Sequence, residues 1–396
     1  MPLPLEGRKL WFAGIGGAGM SGYAALARAW GAEVRGWDRV RTPYLEHLPE
    51  DVTVEVSTEP PSVPAGWESY VSTAFADRIG GKSRAELLAE LTALRESIVV
   101  AGAHGKTTTT AMIAFVLREL GQDPAFLIGG DVPQLAGNAG AGEGWLVVEG
   151  DESDRTIESL GPRIAVVTNV DLDHHTTFAS RAEVEELFER WLANAPTAVR
   201  GGELAPYDGE LSVPGEHNRR NAAAALVALE AAGIAAADAR AALASFRGVA
   251  RRLERRGEAK GVEVYDDYGH HPAEVGAALA ALRDGDDHRV LVLFQPHLYS
   301  RTRHLAREFA SALAAADAVA VADIYPARED PIAGVTGRLI VDALADVRPG
   351  MPIGWTPRVE DGARFLASRA RSGDRLVTLG AGDVDRAVPL LLELLG

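Results

Sequence analysis

Short runs of consecutive apolar residues alternate along this chain with segments patterned at helical spacing, each pair separated by glycine-rich or polar turns. Residues 9–13 read as a strand and 14–22 as a glycine turn. A helix over 23–30 and a second strand over 33–37, closed by Asp38, complete a βαβ unit. The polar stretch 80–97 reads as helical, and 98–101 starts a fresh strand. In the middle of the chain, strands at 145–149 and 164–168 alternate with helices at 183–193 and 218–231. Beyond Phe246-Arg247-Gly248-Val249 the pattern restarts, with strands at 262–265, 289–294, 318–322 and 375–379 between alanine-rich helices. Such alternation predicts an α/β protein whose mainly parallel sheets carry helices on both faces. A length of 396 residues exceeds one ordinary core. At about 150 residues per domain it makes two or three. The pattern places three, at 1–96, 97–247 and 248–396, with no internal repeat of fixed period.

Composition narrows the function classes. Apolar residues at 47% and charged residues at 24% are ordinary for a globular protein. A net charge of −16 argues against nucleic-acid and acidic-membrane partners, which need clustered Lys and Arg. An anionic substrate must therefore be gripped locally, against the overall field. The absence of cysteine removes disulfides, thiolate metal sites and enzyme-bound thioesters. The first residues run into a strand without the apolar core of a signal peptide, and no segment approaches the roughly 18 uninterrupted apolar residues of a membrane span. A cytoplasmic location is the expectation. Lysine occurs only at positions 9, 82, 106 and 260.

The chemistry concentrates in loops that follow strands. Val99-Val100-Ala101-Gly102-Ala103-His104-Gly105-Lys106-Thr107-Thr108 leads from a strand into a helix. Glycines there let backbone N–H groups face phosphates, Lys106 adds a point charge and Thr107 offers a hydroxyl to Mg²⁺. The general G-x-x-x-x-G-K-[ST] pattern is incomplete, since Val100 stands where its first glycine belongs. Gly14-x-Gly16-x-x-Gly19 with Asp38 reads as a dinucleotide fingerprint, which makes an NAD-dependent oxidoreductase a rival, or as simple turn glycines. The extra Gly17, the Met20-Ser21-Gly22 continuation and the separate ATP loop count against NAD. Glu149-Gly150-Asp151-Glu152-Ser153-Asp154 offers carboxylates to a hard cation or forms a solvated acidic turn. The His174-His175 pair invites zinc but lacks further ligands at metal spacing. Asn218 and Asn221 either read an adenine edge or cap the helix they open. The blocks 266–272 and 295–303 gather polar groups on one rim, and His104, His174, His175, His217, His270, His271 and His297 all fall in loops of this kind.

Four of these blocks, 14–22, 104–110, 266–272 and 294–301, resemble the Mur ligases, and specifically their alanine-adding branch. The resemblance spans nearly the whole chain. It implies a Rossmann-like domain for a UDP-sugar, a central P-loop ATPase domain and a C-terminal Rossmann-like α/β domain for the amino acid and part of the nucleotide. The implied reaction joins L-alanine to the lactyl carboxylate of UDP-N-acetylmuramate, through an acyl phosphate, with ATP and Mg²⁺, in cytoplasmic peptidoglycan precursor synthesis. The implied UDP-sugar contacts are Gly14, Gly16, Gly17, Gly19, Ser21, Asp38, Ser72 and Thr73. ATP falls to Gly102, His104, Gly105, Lys106, Thr107, Thr108, Asn218, Asn221, Asp267 and Arg251 or Arg252, the latter preferred. The metal falls to Thr107, Glu149 and His174, and the amino acid to His297, Tyr299 and Arg301. Lys106, His174, His270, His271 and Arg301 are the implied catalytic groups. A monomer or weak homodimer without nucleic-acid or membrane partners is expected. Three departures stand out. The chain between Phe178 and His217 is short for the family, so part of a secondary sheet of the central domain is expected to be missing. No lysine lies between 107 and 259 to be carbamylated at a second metal, and residues 45–59 lack the family's frequent Gly-His. A tripeptide-recycling ligase and a non-catalytic nucleotide sensor are the remaining alternatives.

Overall fold

The computed structural model describes residues 3–152, 155–171, 177–283, 288–327 and 329–396. In chain order the strands are β1 (Lys9–Ala13), β2 (Glu33–Asp38), β3 (Thr53–Val56), β4 (Glu68–Val71), β5 (Lys82–Ser83), β6 (Ser97–Ala101), β7 (Ala125–Val132), β8 (Gly137–Ala141), β9 (Leu146–Glu149), β10 (Ile164–Val167) and β11 (Thr197–Arg200). The last six are β12 (Glu254–Ala259), β13 (Val262–Asp267), β14 (Val290–Phe294), β15 (Ala318–Val321), β16 (Ile353–Trp355) and β17 (Arg375–Leu379). The helices are α1 (Ala18–Ala29), α2 (Arg84–Leu94), α3 (Lys106–Glu119), α4 (Arg181–Ala193), α5 (Glu216–Ala231) and α6 (Ala236–Leu243), then α7 (Pro272–Arg283), α8 (Tyr299–Leu313), α9 (Arg338–Val347), α10 (Val359–Ala367) and α11 (Ala387–Leu395).

Three sheets result, ordered β3-β2-β1-β4-β5, β11-β10-β6-β9-β7-β8 and β12-β13-β17-β14-β15-β16. The first is parallel throughout. The second and third are parallel except for the edge strands β8 and β12. Central strands such as β6 and β14 are apolar at nearly every position because both of their faces are covered. The chain divides into two compact bodies. One contains the first two sheets and runs to Ser212, resuming at Asn218–Val249; the other is Val213–His217 with Ala250–Gly396. In the first body one buried cluster connects the two sheets, from Leu10 and Phe12 through Leu127 to Val99 and Phe188. In the second body two clusters cover opposite faces of the third sheet.

Two expectations about local structure are corrected or completed. The helix expected at 23–30 begins at Ala18. Of the glycines in that run only Gly14 takes a positive φ, +79°. Gly19 and Gly22 are helical and serve close packing: a Cβ on Gly22 would lie 3.2 Å from Ala139 of β8, and one on Gly19 would lie 3.1 Å from the Arg84 guanidinium. The run is thus a helix start that admits neighbours, not an extended turn. Between β11 and α5 the chain forms one short 3₁₀ turn, Gly201–Glu203, and no strand, in keeping with the shortened segment.

Candidate active site

Parallel register sets the rim of each sheet. Ala13 pairs with Trp37 and Val71, so Gly14, Asp38 and Ser72 emerge side by side at the carboxyl ends of β1, β2 and β4. Gly14 is held by close approach, since a Cβ there would lie 2.5 Å from Ser72 Oγ. The Gly16 N–H donates to Asp38 Oδ2 at 2.8 Å, and Thr42 Oγ1 donates to the Gly16 carbonyl at 2.7 Å. Gly17 caps α1 with its backbone only, and the first turn carries no acidic residue. A helix N-terminus without an internal partner favours an anion. Asp38, 6% exposed, spends its carboxylate on the glycine loop instead of standing out toward a ribose, which removes a central feature of the dinucleotide reading.

In the second sheet Val100 pairs with Glu149 and Ala101 with Val167, which brings the phosphate loop, the acidic turn and Thr168-Asn169 to one rim. Glycine is required twice in the loop. Gly102 has φ +126° with Thr168 Oγ1 only 2.3 Å from a built Cβ; Gly105 has φ +82° with Asn221 Oδ1 at 2.2 Å. Gly105 is the N-cap of α3, whose first turn again lacks a side-chain cap and any acidic residue. Asn169 braces the loop from the next strand: its Oδ1 accepts from the His104 N–H at 2.9 Å and its Nδ2 donates to the His104 carbonyl at 2.7 Å. Thr168 Oγ1 donates to that same carbonyl at 2.6 Å.

Lys106 folds back over the loop. Its Nζ donates to Glu152 Oε1 and Oε2 at 2.9 and 3.1 Å and to the Gly102 carbonyl at 2.6 Å. Burial alone would lower its pKa, but the carboxylates of Glu152, Asp151 and Glu149 outweigh that and raise it. Glu152 is 2% exposed, so this part of the acidic turn is neither solvated nor free for a metal. Glu149 behaves differently: its Oε2 accepts from Thr107 Oγ1 at 3.2 Å and its Oε1 from the Gly129 N–H. Two of the three expected metal ligands therefore adjoin, while His174 lies outside the described residues. Among the described residues no group of three or more His, Cys, Asp or Glu gathers as a cation cage. Asn218 and Asn221 are both buried on the first turns of α5, with Asn221 Nδ2 3.4 Å from Asn218 Oδ1. His217 precedes them in the same helix, not in a post-strand loop. Burial and then the nearby Arg252 charge lower its pKa.

Arg84 connects the two rims of the first body. It opens α2, adjoins Gly19 and reaches Asp151 at 3.6 Å. Tyr23 beside it is buried, and its hydroxyl is pushed up to about 12 by desolvation, with the Arg84 charge acting in the opposite direction. Arg84 was not singled out from the sequence, where its one signal is that it follows the Ser83 N-cap of a capping box. Glu152 was read there as one of several carboxylates for a cation, and Asn169 had no role of its own.

In the second body Asp267 and Phe294 both pair with Leu379, so the loops after β13, β14 and β17 share a rim. The two adjacent arginines differ sharply. Arg251, at φ +57°, donates to Asp266 Oδ2 and to the Gly380 and Gly382 carbonyls at 2.9, 2.7 and 3.1 Å. Its guanidinium is consumed by the fold. Arg252 reaches the Glu274 carboxylate only at 3.8 Å and lies over the Tyr268 ring. Asp267 accepts the Leu253 and Gly269 N–H groups at 2.7 Å each, one per oxygen. Burial nevertheless raises its pKa to about 6, against the lowering effect of Arg252 and those N–H donors. The Glu274 carboxylate takes the N–H groups of His270 and His271. Burial lowers the His270 pKa despite Glu274. Rings of Tyr268, His270, His297 and Tyr325 follow one another at centroid spacings of 5.5, 5.8 and 5.9 Å. Arg301 faces His270, and its buried Nη1 has no hydrogen-bond partner among the described residues.

An ATP-type phosphate loop on one parallel sheet, an anion-ready glycine loop on another and a rim of His, Arg and Tyr on a third define a nucleotide-using enzyme of the acid–amine ligase type. Comparison with known proteins agrees. Residues 100–200 match the Mur ligase middle domain, and 251–382 match the Mur ligase glutamate ligase domain. The chain is 40% identical to the UDP-N-acetylmuramate--L-alanine ligase of Renibacterium salmoninarum over 451 positions, covering 98% of this chain and 96% of that one. It is 39% identical to the Streptomyces coelicolor protein of the same name, covering 99% and 98%. The crystal structure of the UDP-N-acetylmuramate-alanine ligase of Thermotoga maritima superposes with a TM-score of 0.79 at 25% identity, covering 97% and 98%. This chain belongs to the Mur ligase family, whose members use ATP. The alignment with the Renibacterium protein has 451 positions whereas this chain has 396 residues, so that relative carries residues with no counterpart here.

Proposed function

We propose that this protein is the ATP-dependent ligase that joins L-alanine to the lactyl carboxylate of UDP-N-acetylmuramate in peptidoglycan precursor synthesis. The observation that supports it most is the phosphate loop: a left-handed Gly105 at an uncapped helix start, Lys106 within reach, and Thr107 paired with Glu149. The near full-length likeness to the alanine ligases supports these substrates.

In this reading residues 1–96 hold the UDP-sugar, with the Gly14–Gly17 loop, Gly19 and Ser21 at the pyrophosphate and Asp38 bracing that loop. Ser72 and Thr73 close the same rim. Residues 97–247 hold ATP. Gly102, His104, Gly105 and Thr108 shape the cradle, Lys106 exchanges Glu152 for phosphate oxygens, and Asn218 and Asn221 address the adenine. The Thr107 hydroxyl and Glu149 carboxylate are hard oxygen donors that suit Mg²⁺, with His174 beside them in the family pattern. When bound, the ion neutralises phosphate charge. The carboxylate of the sugar takes the γ-phosphoryl group, giving an acyl phosphate and ADP, and the alanine amine attacks that carbonyl to release phosphate. Residues 248–396 supply Arg252 and Asp267 toward the nucleotide, His270 and His271 at the reacting groups, and His297, Tyr299 and Arg301 toward the amino acid. His270, kept neutral by burial, is suited to accept a proton from the amine. The cytoplasm, where ATP and the nucleotide sugar occur, is the proposed location, and a monomer or weak homodimer the proposed state. No described helix is long and apolar enough to cross a membrane.

The test is phosphate release from ATP and Mg²⁺ with UDP-N-acetylmuramate, with and without L-alanine, together with mass spectrometry of the nucleotide sugar. Alanine-dependent release and a product heavier by one alanyl residue are expected. Turnover with the tripeptide but not with L-alanine would replace this reading with the recycling ligase. ATP binding without substrate-dependent release would reduce the protein to a sensor.

A further inference from the structure

Helix α8, which presents Tyr299 and Arg301, begins without a cap of its own. Its N-cap position is Leu298, which has no side-chain acceptor, and its first turn holds no acidic residue. The acceptor arrives from 29 residues further along: Glu329 Oε2 accepts the Ser300 N–H at 2.8 Å, and Oε1 accepts the Ser300 hydroxyl. The Tyr299 N–H also favours this carboxylate; together these donors hold Glu329 below the usual carboxylate range although burial pushes the other way. The segment leading to Glu329 grips the same stretch twice more. Tyr325 donates its N–H to the Pro296 carbonyl and accepts the Leu298 N–H, at 2.8 and 3.0 Å. Its ring stacks on His297 at 5.9 Å with 12° between planes.

The held backbone is strained. Leu298 has φ +72° and ψ 134°, outside the regions open to a branched residue. A strained residue between His297 and Tyr299 persists only where its surroundings over-determine it, and the Tyr325 and Glu329 hydrogen bonds hold the backbone on both sides of it. We propose that Tyr325 and Glu329 form a clamp that positions His297, Tyr299 and Arg301 for the amino acid, with Glu329 as the principal positioning residue. The proposal rests on the ligase reading of this rim. Glu329 itself touches no reacting atom; it acts by fixing the helix start from which Arg301 projects.

The test compares Glu329→Ala, Glu329→Gln and Glu329→Asp in the full-length enzyme. Loss of a helix cap and its charge predicts about a tenfold rise in KM for L-alanine in Glu329→Ala. ATP and UDP-N-acetylmuramate affinities by calorimetry stay at wild-type values, and Glu329→Asp recovers part of the loss. Hydrogen exchange at residues 297–303 rises in Glu329→Ala and less in Glu329→Gln, which keeps one acceptor oxygen. Unchanged exchange there would overturn the clamp, as would a uniform activity loss that tracks unfolding temperature with KM for L-alanine unmoved. A wild-type enzyme silent toward L-alanine would sink the ligase reading separately, and the exchange data would still decide whether Glu329 holds the segment.

Discussion

The Lys106–Glu152 pair gives the phosphate-loop lysine a structural role beside its proposed functional one, and the two separate by experiment. Lys106 Nζ meets both oxygens of a carboxylate that is 2% exposed. Breaking a buried pair by removing one partner costs about 3–5 kcal/mol, because the survivor stays charged and buried. The Lys106 side chain retains 20% exposure, so water partly relieves Glu152 and about 3 kcal/mol is the better figure. For a body of this size each kcal/mol moves the unfolding midpoint by about 2–4 °C. Lys106→Met is therefore expected to lower the ligand-free midpoint by about 6–12 °C. Glu152→Gln on that background removes the stranded charge and recovers most of the loss, a coupling of about 2 kcal/mol in a double-mutant cycle. Scanning calorimetry without nucleotide measures both. Turnover, by contrast, is absent in Lys106→Met and in the double variant, while UDP-N-acetylmuramate binding survives in both. A Lys106→Met midpoint equal to wild type, or a double variant no more stable than Lys106→Met, would refute the argument that Glu152 stores the lysine.

Three further outcomes follow from the geometry. Gly105→Ala places a Cβ 2.2 Å from Asn221 Oδ1 in a left-handed conformation costing about 1–2 kcal/mol; ATP affinity by calorimetry falls at least about tenfold while UDP-sugar affinity holds. Arg251→Ala lowers the unfolding midpoint because it strands the buried Asp266, whereas Arg252→Ala leaves the midpoint in place and weakens nucleotide use; the reverse assignment would show the opposite split. Asp267, raised from 3.8 to about 6, keeps in the folded state a proton that the unfolded chain has already lost. Stability must then fall as pH rises from about 4 to about 6, by up to about 3 kcal/mol, and the difference in midpoint between wild type and Asp267→Asn across that range measures it; parallel profiles would remove the effect.

Periodicity and glycine punctuation were enough to locate most of the central strands and the loops that end them, because a strand covered on both faces must be apolar throughout. The hairpin of β7 and β8 was not legible: Gly129-Gly130 and the glycine-rich β8 carry little strand signal, and pairing with a neighbour decides their conformation. The start of α1 was misplaced for a related reason. Glycines at 19 and 22 look like turn residues in one dimension and are contact residues in three. Candidate site residues could be listed from the chemical motifs in the sequence; most of the contacts that hold them could not. Arg252 was preferred to Arg251 without a local reason, and it is the Gly380 and Gly382 carbonyls, from the far end of the chain, that set the two apart. Glu329 caps a helix whose first residue lies 30 positions earlier, and no local pattern encodes that tie.

A single arrangement recurs on all three sheets. A loop leaves a strand, and a polar side chain from the end of a strand fixes its backbone: Asp38 for Gly16, Asn169 for His104, Asp267 for Gly269. This has an electrostatic consequence in a chain of net charge −16 with four lysines. The proposed substrates carry a pyrophosphate, a triphosphate and a carboxylate, yet Lys106 is the one lysine between positions 83 and 259. In this reading backbone N–H groups at the starts of α1 and α3 share the anion stabilisation with Lys106, Arg252 and Arg301. Dipoles of that kind stabilise an anion only if they are already aimed, since reorienting a loose loop would consume the gain. The braces supply that aim before any substrate binds.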